Sequence, residues 1–129
     1  MELQKLDING LNNIYALDVV KKEFEKSVDE KWKNEPPMKR YQEKLLANLA
    51  VLDVEKERAI ELPQYEKLVG EEKLYSIRHP RTGKNVRVLY TIIEGSIIIL
   101  LVAFLEKNDS DYRKAISVAK NRLRKLEEE

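Results

Sequence analysis

The 129 residues include no cysteine, so no disulfide, thiolate nucleophile or cysteine metal site is open to this sequence. Histidine occurs once, at His79, which argues against an imidazole-rich transition-metal site and leaves no serine a credible triad. Only four glycines are present and none builds a phosphate-cradling loop. The longest apolar run, Ile97 to Leu105, is nine residues. A membrane-spanning helix needs about twenty. The first residues, MELQKLDING, lack the basic and apolar regions of a secretory signal, so the expected location is the cytoplasm, without membrane attachment.

Charged residues make up 36% of the chain and hydrophobic residues 43%. That balance describes a folded globular chain, and the length fits one domain spanning residues 1–129. The formal net charge of +1 predicts no partner, but its distribution does. From Lys73 to Ile93 there are five basic residues and no acidic one. From Tyr112 to Leu126 there are six, again with no acid between them. Such segregation suggests a face for a polyanion, with Lys73, Arg81, Lys84, Arg113, Lys120 and Arg124 as candidate contacts. The plainer alternative is that these are solvated faces of a strand pair and a helix.

Hydrophobic periodicity sets the expected fold. Leu3, Leu6 and Ile8 form a weak strand signal, ended by the Asn9-Gly10 turn. Apolar residues at Leu17, Val20, Phe24, Val28 and Trp32 mark a helix stopped by Pro36-Pro37. Met38, Tyr41, Leu45, Leu49 and Leu52 mark a second, which predicts an antiparallel helical hairpin. Residues 61–73 read as a loop. The period then changes to that of strands: residues 74–79, 86–93 and 97–105, joined by short turns, predict a three-stranded antiparallel meander. The last strand is apolar throughout and must be central, with both faces covered. Asp109 and Ser110 are N-cap candidates for a final helix from about Tyr112 to Leu126. The fold class is α+β: a helical hairpin on a small antiparallel sheet, with a C-terminal helix.

Arg78 and Arg87 interrupt the apolar pattern of neighbouring strands, Lys107 follows the third strand, and Tyr112 opens the last helix. Strands about 4.8 Å apart can bring these groups within one phosphate's reach. Such a set suits RNA cleavage without a cofactor. Arginine forks neutralise the phosphorane, and a phenol or imidazole moves protons. The base would be an acidified Tyr112, or His79, whose ordinary pKa suits neutral pH. Each residue also has a plain structural role available. Arg87 could pair with Glu94 or another surface carboxylate, Arg78 could guard an edge strand, Lys107 could be a loop lysine, Tyr112 fits its helix's apolar stripe, and His79 could be an exposed turn residue.

The segment from Leu74 to Leu123 resembles the C-terminal half of RelE/HigB-type toxins of type II toxin–antitoxin pairs, notably the phage-derived HigB-like branch of the RelE/ParE superfamily. The resemblance rests on Leu74 to Arg78 (L-x-x-I-R), Arg87 to Tyr90 (R-V-L-Y), the strand ending at Phe104 to Lys107, and Ala115 to Arg122 (A-x-x-x-A-x-x-R). It implies a RelE-like fold and ribosome-dependent mRNA cleavage that inhibits translation. It also implies binding to the ribosome and mRNA, and a helix-turn-helix antitoxin as partner in a hetero-oligomer. By the same resemblance Arg87 matches the strand arginine at the scissile phosphate, and Arg78 a basic residue on the preceding strand. Lys107 lies near the basic position after the last strand. Tyr112, after a one-residue gap, falls near a tyrosine implicated in proton transfer. Two positions depart from the pattern. Ser76 stands where a lysine can occur, and Glu106 interrupts the usual F-x-K-K. The alternatives within the superfamily are a ParE-like inhibitor of DNA gyrase and an inactive binding module.

Overall fold

The computed structural model describes residues 1–8, 10–78 and 83–128. Six strands form one sheet: β1 (Leu3–Lys5), β2 (Ile14–Leu17), β3 (Tyr65–Lys67), β4 (Tyr75–Arg78), β5 (Val86–Ile93) and β6 (Ile97–Leu105). Their spatial order is β1-β2-β6-β5-β4-β3. All neighbours are antiparallel except β2 and β6, which run parallel. The helices are α1 (Val20–Val28), α2 (Met38–Glu55), continued by a 3-10 segment Lys56–Glu61, and α3 (Asp109–Glu127).

The fold is thus α+β, as expected, but the sheet is twice the expected meander. The three predicted strands are its centre, β4 to β6. The weak signal at residues 3–8 is the edge strand β1. Strands β2 and β3 were not anticipated. Each has only three or four residues, too few for a period of two to stand out. β3 lies in the segment read as a loop and covers β4, so Arg78 does not guard an edge. The first helix is also shorter than its apolar spacing suggested. Asp29 adopts a left-handed conformation (φ 66°) and ends α1. The Glu25 carboxylate then accepts the Trp32 backbone N–H at 2.6 Å, outside the helix.

Register explains how the faces are filled. Tyr65, Ile77, Val88 and Ala103 lie opposite one another across four strands, and all are buried. This face is covered by α1 and α2, whose Val20, Phe24, Leu45 and Leu49 join the same buried core as Ala16, Val88 and Leu100 and line a cavity with them. The Tyr65 hydroxyl donates to the Asn48 carbonyl at 2.6 Å and ties β3 to α2. The Asp53 carboxylate near the end of α2 accepts the backbone N–H groups of Asn12 and Asn13 at 3.1 and 2.7 Å, fixing the loop that leads into β2. These contacts hold α2 over the same face of the sheet as α1. The opposite face carries Ser76, Leu89 and Val102 and is covered by α3 through Ala115, Ala119 and Leu123.

Strand β6 is held by an unusual edge. Pairing passes from Leu89–Val102 to Tyr90–Leu100, so Leu101 is an extra, bulged residue. Strand β2 pairs β6 only as far as Leu100. Past that point the edge of β6 is met by side chains. Arg122 of α3 donates to the Leu101 carbonyl at 2.8 Å, and Glu23 of α1 accepts from the Ala103 N–H at 3.3 Å. The same two side chains form a two-point ion pair at 2.9 and 2.8 Å. A helix on each face thus clasps the strand's open edge and satisfies its backbone.

Removing one half of this clasp strands the other. Arg122→Ala is expected to cost about 2–3 kcal/mol, because the Glu23 carboxylate and the Leu101 carbonyl both lose a charged donor in a partly buried setting. Urea denaturation checks it; a loss under about 0.5 kcal/mol would show the clasp to be incidental.

Candidate functional site

The β-hairpin β4–β5 and the start of α3 bring the strongest sequence candidates together. Arg78 and Arg87 are direct cross-strand partners, and Arg87 in turn lies opposite Phe104. Like charges placed opposite each other disfavour the sheet, so both need anionic neighbours. Arg87 donates its Nε–H to Glu106 in a close contact; the two side chains are 17% and 19% exposed. Arg78 lies 3.8 Å from the Glu66 carboxylate, with both side chains about two-fifths exposed. The Arg78 Nε–H is buried and makes no hydrogen bond with the described residues.

Tyr112 completes the group. Its ring meets Phe104 edge-on, with centroids 5.4 Å apart, and the Arg87 guanidinium carbon is 5.7 Å from its centroid. Its hydroxyl donates to Glu66 at 3.0 Å. Burial pushes the phenol up to about 12; the Glu66 carboxylate adds to the rise, while the Ser76 hydroxyl and the Arg87 charge oppose it. The expectation of an acidified Tyr112 is therefore reversed: the phenol is held protonated and suits proton donation.

Tyr112 owes its position to the cap of α3. Asn108, rather than the expected Asp109 or Ser110, is the N-cap: its side chain accepts from the backbone of Ser110 and Asp111. Asp111 returns the bond to Asn108 and also takes the Lys107 N–H at 2.9 Å. The Lys107 backbone is thereby fixed at the end of β6. Its side chain is exposed and forms no ion pair with the described residues. His79 and Arg81 lie outside the described residues.

The remaining basic candidates sit elsewhere. Lys73, Lys120 and Arg124 line a groove between the β3–β4 connection and the far half of α3. From Tyr112 to Arg124 is roughly 18 Å along the helix. Acids interleave them: Lys73 binds Glu127 at 3.1 Å and Lys120 binds Glu71 at 3.0 Å. Lys84 reaches the Val28 carbonyl at 2.6 Å, where it serves the end of α1. Arg113 is exposed on α3. The two basic segments therefore do not join into one uninterrupted cationic face, because acids distant in sequence fold against them.

Sequence reasoning missed both carboxylates of the site. Glu66 lay in the segment read as a loop, and β3 places it beside Ser76. Glu106 was visible only as a departure from the F-x-K-K pattern. Arg87 pairs with it, not with Glu94, which occupies the β5–β6 turn at φ 52°.

Among the described residues no helix is long and apolar enough to cross a membrane. No curated protein matches the chain. A solved structure of the Escherichia coli toxin RelE, a mutant in the free state, aligns with 83% of this chain and 96% of its own at 16% identity, with a TM-score of 0.47. A family profile described as Phage derived protein Gp49-like matches residues 30–124, most of the chain from the turn before α2 to the last turns of α3. The chain belongs to this Gp49-like family.

Proposed function

We propose that this protein is the toxin of a toxin–antitoxin pair, a ribosome-dependent endoribonuclease that cuts mRNA through the group at the β4–β5 hairpin. Membership of the family implies an antitoxin as partner. The observation that carries the nuclease reading is the cross-strand pair Arg78–Arg87 beside a phenol held in its protonated form. Two guanidinium groups one strand spacing apart suit a phosphodiester, whose charge grows as a fifth oxygen joins phosphorus.

The chemistry follows from the inventory. The RNA 2′-oxygen attacks phosphorus, the bond to the 5′-oxygen breaks, and the products are a 2′,3′-cyclic phosphate and a 5′-hydroxyl. Arg87 and Arg78 stabilise the phosphorane, and Lys107 contributes long-range attraction for phosphate. Tyr112 donates the proton that the leaving 5′-oxygen needs. The 2′-hydroxyl proton goes to His79 or to the Glu66 carboxylate, which is bonded to the same phenol. In the free protein the two arginines face two carboxylates, so the site is close to neutral and RNA must compete with Glu66 for Arg78. That suits an enzyme that acts only where the ribosome presents mRNA to it. The exposed cations of α3, Arg113 and Arg124 among them, serve as contacts to ribosomal RNA, and weaken in their effect as salt rises. The expected setting is the cytoplasm, where translation supplies the substrate.

Arg87→Ala is expected to slow cleavage about a hundred-fold or more. Primer-extension mapping of mRNA in a purified translation reaction reads this directly. Intact mRNA with the wild type would sink the nuclease reading and direct attention to DNA gyrase. Tyr112→Phe should cost a similar factor. Because burial raises the phenol to about 12, the acid form persists through neutral and mildly alkaline pH. The part of the rate that depends on Tyr112 should therefore stay level up to about pH 11. A Tyr112-dependent rate that climbs with pH over that range would instead make the phenol the base.

A further inference from the structure

Resting on the nuclease reading, the geometry points to Glu106 as the residue that aims Arg87 at the phosphate. The pair is joined through Nε alone. A guanidinium has five N–H donors. The four on its terminal nitrogens make no hydrogen bond to described residues, so the edge that can fork onto a phosphate stays available while the opposite side is held.

The hold is rigid for reasons built into the chain on both sides. The Glu106 backbone N–H donates to the Asn85 carbonyl at 2.9 Å, one residue before β5. The next N–H, from Lys107, is taken by the Asp111 carboxylate of the α3 cap at 2.9 Å. Glu106 is thus pinned between the start of β5 and the start of α3, the two elements that carry Arg87 and Tyr112. Arg87 itself is flanked in the sheet by Arg78 and Phe104, and its guanidinium is 5.7 Å from the centre of the Tyr112 ring. A long side chain that would otherwise sample many rotamers is held on two sides before substrate arrives, and preorganisation of this kind strengthens the transition state more than binding. The acidic residue that breaks the F-x-K-K pattern is, on this account, a functional substitution: it exchanges a phosphate-binding cation for a fixed orientation of the remaining arginine.

The two roles open to Glu106 separate by substitution. Glutamine keeps the acceptor for the Nε–H and removes the charge; alanine removes both. If Glu106 aims Arg87, Glu106→Ala lowers the cleavage rate at saturating ribosome complex about tenfold or more with little change in half-saturation. Glu106→Gln then stays within about threefold of wild type, and adding Arg87→Ala to Glu106→Ala costs the same as Arg87→Ala alone. Cleavage by Glu106→Ala equal to or faster than wild type would overturn the proposal and make the carboxylate a mask on the arginine. A second readout does not need the nuclease. The Arg87 Nε–H signal in nitrogen-15 NMR should be protected from solvent exchange in wild type and in Glu106→Gln, and lose that protection in Glu106→Ala. If wild type leaves mRNA intact, the nuclease reading falls by itself. An Nε–H that exchanges freely in the wild type overturns the aiming of Arg87 whatever the mRNA result.

Discussion

The arrangement depends on how the chain covers the far half of β6. Nine consecutive apolar residues make this strand insoluble by itself, and it must be wrapped on both faces and along its edges. β5 takes one edge over the full length. β2 takes only the first part of the other, since the chain must leave the sheet to begin α1. The bulge at Leu101 falls where β2 gives out, and Glu23 and Arg122 close the gap from opposite faces. One ion pair thus fixes α1, α3 and the central strand relative to one another. The end of β6 beyond it, which carries Phe104 and leads into Glu106, inherits that fixed position.

The site takes its character from cross-strand register. Placing Arg78 against Arg87 concentrates positive charge that a sheet would ordinarily avoid, and the fold answers with a carboxylate for each. The two pairs differ. Glu106 and Arg87 are mostly shielded, so their contact is strong and directional, whereas Glu66 and Arg78 are open to water and readily exchanged for another anion. Tyr112 connects the halves, with its ring near Arg87 and its hydroxyl on Glu66. The same burial that fills the space under α3 keeps the phenol protonated, so packing and proton chemistry have one cause.

Much of this was legible in the chain. The long segments stand out: α2 and α3 are periodic over 18 and 19 residues, β5 and β6 are mostly apolar over eight and nine, and their own side chains specify them. Arg78, Arg87 and Tyr112 stood out because each breaks or opens such a segment. The strands of three or four residues did not stand out: β1 was a faint signal, while β2 and β3 become strands only because a neighbour supplies the hydrogen bonds. The first helix shows the same limit, since the apolar spacing continues to Trp32 although the backbone turns at Asp29.

The sequence by itself determined which segments are apolar, which residue types are available for chemistry, and membership of the Gp49-like family. Periodicity and composition act locally, and they survive without knowledge of the partners. Only the tertiary structure decided the charge each cation meets. Glu66, Glu71, Glu106, Glu23 and Glu127 are distant in sequence from most of the basic residues they touch, so segments free of acid in the chain become paired surfaces in the fold. The proton affinity of Tyr112 was decided there too. Its spacing in α3 shows that it lies on the apolar stripe, but burial among Phe104, Glu66 and Arg87 sets whether it gives or takes a proton.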